Sequence, residues 1–260
     1  MSRKTPIPAS DIREFLEEKY DHYNRRSFIE RDPVSIPHLF TKKEDIEISG
    51  LLSATISWGN RKSIIANARR LMAFMDDNPF EFVKDHSPRD LVTFRKFVHR
   101  TFNGRDCVFF IRSLRNIYTH HGGLESAFRT PAGNETVFEN IMAFRKIFLS
   151  VPHESRSEKH ISNPARKSSA KRLCMFLRWM VRKDKRSVDF GLWNEILPSQ
   201  LCLPLDVHTG NVSRKLGLLK RKQNDWTAVE EVTATLRRMD PSDPVKYDFA
   251  LFGLGEEKVI

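Results

Sequence analysis

The stretch L-P-L-D-V-H-T-G-N-V-S-R-K-L-G-L-L, Leu203–Leu219, passes from a proline-fixed approach into a basic helix at one residue, Asp206. Asp206 has the residue type and the position of a helix N-cap, whose side-chain oxygen accepts from the free N–H groups of the first turn. A carboxylate at that end of a helix is also favoured in its ionised form by the helix dipole. The same residue can therefore be a cap and a carboxylate ready to stabilise positive charge on a substrate, and the spacing leaves both readings standing. His208 lies two residues further on. Asp206 and His208 could be two metal ligands, but no third ligand is spaced to join them, so neither a metal nor another cofactor is expected.

Upstream, R-K-S-S-A-K-R-L-C-M-F-L-R-W-M (Arg166–Met180) turns from loop into helix. A helix is expected from about Ser169 to Val181, with Leu173, Phe176, Leu177 and Met180 along one side. Lys171 stands where the loop becomes helix. It is either a surface lysine of a basic helix or a nucleophilic amine. A lysine amine must give up a proton that it holds below a pKa of about 10.4 in water before it can attack. The cations Arg166, Lys167 and Arg172 and the positive end of the helix push in that direction.

The remainder carries mostly helical spacing. Ile48, Leu51, Leu52 and Thr55 share one face, as do Ile64, Ala68, Leu71, Met72 and Met75, with W-G-N (Trp58–Asn60) as the break between them. A looser, Phe-rich region reaches about Phe102. D-C-V-F-F-I-R-S-L-R-N-I-Y-T-H then predicts a helix stopped by Gly122 and Gly123. Glu135 to Leu149 predicts another, with Phe138, Ile141, Met142 and Phe148 in register. Val151–Ala170, rich in Ser, His and Lys, predicts a loop or short hairpin. D-P-V-K-Y-D-F-A-L-F-G-L-G forms a last apolar segment. With few alternating runs and only 11 glycines in 260 residues, the chain reads as all-α, with a first lobe over about 31–149 and a second formed by about 1–30 plus 150–260.

Charge narrows the partner. The chain carries 44 Lys and Arg against 33 Asp and Glu, a net +11. Between Arg156 and Arg186 stand eleven of these cations and two acids, and Arg214, Lys215, Lys220, Arg221 and Lys222 form a second cluster after Asp206 with no acid from Val207 to Asn224. An isolated basic run is commonly just a solvated helix face, but two such runs flanking one carboxylate favour a polyanion, and nucleic acid over membrane. No apolar run is long enough to span a bilayer. The opening M-S-R-K-T-P-I-P-A-S lacks the apolar segment of a signal peptide. Three scattered cysteines (Cys107, Cys174, Cys202) include no C-x-x-C pair, so a cysteine-held cluster is not readable and a reduced, cytoplasmic setting is expected.

P-L-D-V-H-T followed by a basic helix resembles the aspartate motif of the helix-hairpin-helix DNA glycosylases, and A-K-R-L-C-M-F-L-R-W-M resembles their lysine-bearing helix. I-S-G-L-L-S-A-T-I-S-W-G-N-R-K-S-I-I-A-N-A is similar to the helix and loop near the DNA interface of that superfamily. On D-P-V-S-I-P-H, H-R-T-F-N-G, K-R-L-x-x-F-L-R-W-M and P-L-D-x-H-T, the chain also resembles, over nearly its whole length, a bacterial family with no settled activity. The glycosylase resemblance is nearest to the oxidised-guanine branches, the archaeal one above all. It implies a two-lobed helical fold with a cleft between the lobes. It also implies excision of a damaged base flipped from duplex DNA, with Lys171 as nucleophile on the sugar C1′, Asp206 as stabiliser of the charged sugar, and an AP-lyase step open to the lysine adduct. DNA contacts would fall to Asn60, Arg61, Arg166, Lys167, Ser168, Ser169, Arg172, His208, Arg214 and Lys215, and the base to Trp58, Arg100, Phe102, Asn103 and Trp179. The large aromatics among these serve a core equally well.

Three departures from the glycosylase pattern are visible. N-P-A-R-K-S-S-A (Asn163–Ala170) stands where the usual hairpin has G-x-G, a motif that lets backbone approach phosphate closely. The separation from Lys171 to Asp206 is longer than in common members. The C-terminal cluster cysteines are missing. Lys167 is the alternative nucleophile if the hairpin is displaced. The expectation is a monomeric DNA-repair glycosylase acting on double-stranded DNA; the alternative is a non-catalytic DNA- or RNA-binding protein on the same scaffold.

Overall fold

The computed structural model describes residues 9–129 and 136–257. The first eight residues, which include most of the opening decapeptide, and Glu135, the expected start of one helix, lie outside them. The chain is largely helical, and its contacts cluster into two units. One holds the chain up to Phe28, Pro164–Gly191 and Ile196 onward; the other holds Ile29–Asn163 with Leu192–Glu195.

The helices are α1 (Ala9–Tyr23), α2 (Arg26–Ile29), α3 (Lys43–Thr55), α4 (Arg61–Ala73), α5 (Pro79–Asp85), α6 (Gly104–His120), α7 (Leu124–Ala127), α8 (Val137–Phe148), α9 (Lys171–Val181), α10 (Val207–Lys215), α11 (Trp226–Met239) and α12 (Asp248–Glu256), joined by short 3₁₀ turns.

In the unit that contains α3–α8, α3 is enclosed by α4, α5 and the turns at 33–39. Every residue from Ile46 to Thr55 is buried, so the helix sinks its polar side as well as the predicted apolar face. Glu47 is sunk with it. Tyr118 Oη donates to its Oε2 at 2.7 Å and Trp193 Nε1 to its Oε1 at 2.6 Å. Burial, the largest influence, still pushes the Glu47 carboxyl above its usual range. Three phenylalanines of the loose region turn inward: Phe94, Phe97 and Phe102 are fully buried, as are Phe110 of α6 and Phe144 and Phe148 of α8.

That region departs from an all-helical reading at one place. Val98–His99 and Phe102–Asn103 form a two-residue antiparallel hairpin, Val98 opposite Asn103 and His99 opposite Phe102. Its turn places Arg100 at φ 54, a left-handed conformation that helical periodicity cannot announce. Asn103 then caps α6 in a reciprocal box with Asp106. Asp106 also accepts from Arg156 at 2.8 Å and Ser157 Oγ at 2.6 Å, which ties the 151–163 segment to α6.

In the other unit α12 is the centre. It is apolar on nearly all sides, as a helix enclosed by others must be, and it packs on both α1 and α10. Gly253 lies against the Tyr23 ring of α1 and Gly255 against His208 of α10. α9 begins at Lys171, two residues later than periodicity suggests, because Ala170 takes φ 48 ahead of it.

A Cβ added at Gly104 would overlap the Arg95 carbonyl, a backbone atom that cannot swing away. Gly104→Ala is expected to lower stability by about 1–3 kcal/mol, read as a shift of the urea midpoint. An unchanged midpoint would mean that the start of α6 is free to move.

Candidate functional site

Two helix starts meet in the unit that contains α9–α12. Lys171 is the first residue of α9 and Asp206 the N-cap of α10. Lys171 Nζ lies 3.1 Å from Asp206 Oδ2, with side chains 28% and 17% exposed. The two oxygens of Asp206 divide the work. Oδ1 accepts from the Thr209 N–H at 2.9 Å, while Thr209 Oγ1 accepts from the Asp206 N–H at 2.8 Å. Oδ2 faces the amine. Asp206 is thus a cap and an ion-pair partner at once. Asn224 Nδ2 donates to the Asp206 carbonyl at 2.9 Å and fixes the approach to the helix.

Burial works to raise the Asp206 carboxyl, but the Lys171 charge, the Thr209 N–H and the Lys171 hydrogen bond outweigh it and hold it below the usual range. It is an anion at neutral pH, and so a poor general base but a good electrostatic partner for a cation. Behind the pair, Asp248 is raised to about 6. Burial is the main cause; Arg178 opposes it, and the negative charge of Asp206 adds to it. Because the folded state then binds a proton that the unfolded chain releases near pH 3.9, this carboxyl makes stability fall as pH rises from about 4 to 6.

The other sequence candidates in this unit fall into two sets. Arg166, Lys167 and Lys215 are exposed, as is His208, whose backbone side abuts Gly255. Ser168 Oγ accepts from the Ala170 N–H at 3.2 Å, and Ser169 and Arg172 are half-buried. By contrast, Arg214 is committed within the chain, donating to the Arg221 carbonyl at 2.7 Å and to Asn224 Oδ1 at 2.6 Å. Trp179 is fully buried and presents no face to a ligand in this conformation.

The remaining candidates belong to the unit that contains α3–α8. Asn60 caps α4, accepting from the Ser63 N–H at 3.1 Å, and Arg61 is the first residue of that helix. Trp58 is half-buried, edge-on to His99 at 5.2 Å between ring centres. Arg100 lies beside Gly59. Phe102 is fully buried against Phe110 and His160, and Asn103 is occupied as a cap. Phe102 is packed in the core in this conformation.

The family profile described as "Protein of unknown function (DUF2400)" matches residues 32–257, a span that contains both Lys171 and Asp206. The chain belongs to that family. No curated protein matches it, and no solved structure does. In this DUF2400 chain, sequence reasoning passed over Arg178, Asp189 and Asp248, the charged residues that hold the site from behind. For Asp248 the signal lay in D-P-V-K-Y-D-F, where it opens an otherwise apolar helix. No helix among the described residues is long and apolar enough to cross a membrane.

The divided role of Asp206 predicts a graded response. Asp206→Asn keeps a capping oxygen and removes the charge; Asp206→Ala removes both. At pH 7 asparagine should cost about 1 kcal/mol and alanine about 1 kcal/mol more. A depressed carboxyl contributes stability above its unfolded pKa and loses it as pH falls through the folded one. The gap between wild type and Asp206→Asn should therefore close as pH drops below about 3.9, in urea denaturation at several pH values. A gap that stays constant in acid would remove the ion pair as its source.

Proposed function

We propose that this protein is a DNA base-excision enzyme, a glycosylase with an AP-lyase step, acting on a damaged base through Lys171 and Asp206. The carrying observation is the 3.1 Å approach of Lys171 Nζ to Asp206 Oδ2 across two helix starts, with both side chains still partly open to solvent. Exposed Arg166 and Lys167 in the turn before α9 and Lys215 at the end of α10 supply cations for phosphate. Val207, next to the carboxylate, is 64% exposed, an apolar surface suited to a sugar or base.

The chemistry follows from the two groups. The Lys171 ammonium releases one proton to solvent, and the free amine then gives its lone pair to C1′ of a flipped nucleotide. The C1′–N bond breaks, its electron pair leaves with the base, and the base takes up a proton. Positive charge on the sugar in the transition state is met by the Asp206 anion, already aimed and already desolvated on one side, so little reorganisation is needed. Nζ then loses a proton, the C1′–O4′ bond breaks with O4′ taking up a proton, and the opened sugar is held as an imine between C1′ and Nζ. Loss of a C2′ proton expels the 3′ phosphate by β-elimination.

Borohydride reduction of that imine should trap a covalent protein–DNA adduct on duplex carrying oxidised guanine or an abasic site. Lys171→Ala should abolish trapping, and Asp206→Asn should slow base release by about 10²-fold or more while leaving salt-dependent DNA binding in place. If no adduct forms and DNA binding is unchanged in both variants, the pair is a structural ion pair and the protein a non-catalytic nucleic-acid binder.

A further inference from the structure

The unit that contains α3–α8 holds a cavity of about 580 Å³ whose lining includes neither Lys171 nor Asp206. Arg105, Phe109 and Arg112, spaced by four and then three on α6, share one face of that helix. Arg95 enters from the 3₁₀ turn at Asp90–Lys96, whose backbone lies so close to the start of α6 that only glycine fits at position 104. The opposite wall is His153 and Glu154. The His153 ring stacks over Phe109, with 4.6 Å between centres and 29° between planes.

Three guanidiniums thus face one carboxylate. Arg105 is paired with Glu154 at 2.7 Å, but those side chains are 76% and 46% exposed, so the pair is weak and easily displaced. Arg95 and Arg112 are exposed and make no ion pair among the described residues. Glu158, whose Oε1 lies 3.8 Å from His153 Nε2, is held by Arg145 at 2.8 Å. The fold has gathered like charges here without supplying the acids that would balance them. That contrasts with Arg156 on the adjacent turn, which is matched to buried Asp106.

We propose that this cavity binds the phosphate ester of a nucleotide-sized ligand. Guanidinium forks match phosphate oxygens two at a time, and an entering dianion would relieve the repulsion among the arginines. The volume lies within the range of small-molecule sites and is more than inorganic phosphate requires, while the half-buried His153 ring, backed by Phe109, offers an aromatic surface to the rest of the ligand. A free nucleotide and one unit of a nucleic-acid strand share this chemistry. The binding does not depend on the lysine reaction.

The test titrates deoxyadenosine 5′-monophosphate and an undamaged DNA duplex separately into wild type, Arg95→Ala/Arg112→Ala, Glu154→Gln and Lys171→Ala. At least one probe should bind wild type. Its affinity should fall about tenfold or more in the double variant, rise severalfold in Glu154→Gln, and stay unchanged in Lys171→Ala even where adduct trapping is lost. For the duplex, the slope of log affinity against log salt should shrink by about two, one for each arginine. Loss on the monophosphate assigns a free nucleotide; loss on the duplex alone assigns a strand backbone. Binding of neither probe to wild type overturns the proposal, as does equal binding by a double variant whose melting temperature is unchanged. Should the double variant fail to fold, an unchanged affinity in Glu154→Gln overturns it.

Discussion

Two buried arginines four residues apart, one in the last turn of α9 and one just past its end, organise their whole unit. Arg178 and Arg182 have almost no solvent exposure, and an arginine taken out of water without a partner costs several kcal/mol. The fold meets that demand with two acids from the following connector and two from the distant end of the chain. Asp189 takes one contact from each, at 3.2 and 3.1 Å. Asp248 takes Arg178, and Asp184 and Asp243 take Arg182. The Phe249 ring lies 4.3 Å beneath the Arg178 guanidinium, adding a cation–π contact. Because Asp248 opens α12, the start of that helix is pinned to α9. α12 in turn packs on α10, whose cap is Asp206. Lys171 is seven residues, or two turns, before Arg178 and so projects from the same side of α9. The amine and the carboxylate meet because both of their helices are referenced to α12.

This explains why the basic stretch deceived in part. From sequence, Arg156–Arg186 looks like one cationic surface. In the fold, Arg156, Arg178 and Arg182 turn toward acids, and Arg186 pairs with Asp21. Local charge counting could find only part of this, because Asp184 and Asp189 are near in sequence while Asp21, Asp106, Asp243 and Asp248 lie tens of residues away and become neighbours only once the chain is packed. The cations left exposed are fewer: Lys159, Arg166, Lys167, Lys183 and Lys185 within that stretch. Helices were legible wherever one apolar face sufficed, as in α4, α6, α8 and α9. The depth of α3 was not, since Glu47, Ser49 and Ser53 sink with it and the partners that make this tolerable, Tyr118 and Trp193, come from far along the chain.

Asp206 was the most legible site residue, because a cap announces itself locally. Its pairing with Lys171 is a different kind of inference. Nothing in the spacing of two residues 35 positions apart fixes their distance; only resemblance suggested that they meet. Two of the base-pocket candidates show a related limit of local reading. Phe102 and Trp179 have the composition of a base-stacking wall, but a large aromatic and a core aromatic look alike in sequence, and here burial claims both.

The segment before α9 shows how backbone can stand in for composition. Where the resemblance leads one to expect glycines, the chain has Lys167 at φ 65 and Ala170 at φ 48. Each left-handed residue costs about 1–2 kcal/mol relative to glycine's freedom, and such conformations persist where the surroundings over-determine them. The surroundings here are specific. The Lys167 N–H donates to the Pro164 carbonyl at 2.8 Å, and the Ala170 carbonyl accepts from both Leu173 and Cys174, so the turn is closed on one side by a 3₁₀ hydrogen bond and on the other by the first turn of α9. Buried Ala170, with its small side chain, is the residue that can sit at the sharper of the two positions without opening the core. The strain lies immediately before Lys171. It turns the chain so that α9 starts at the lysine, and the amine extends toward Asp206 from a backbone that has no slack to draw it back.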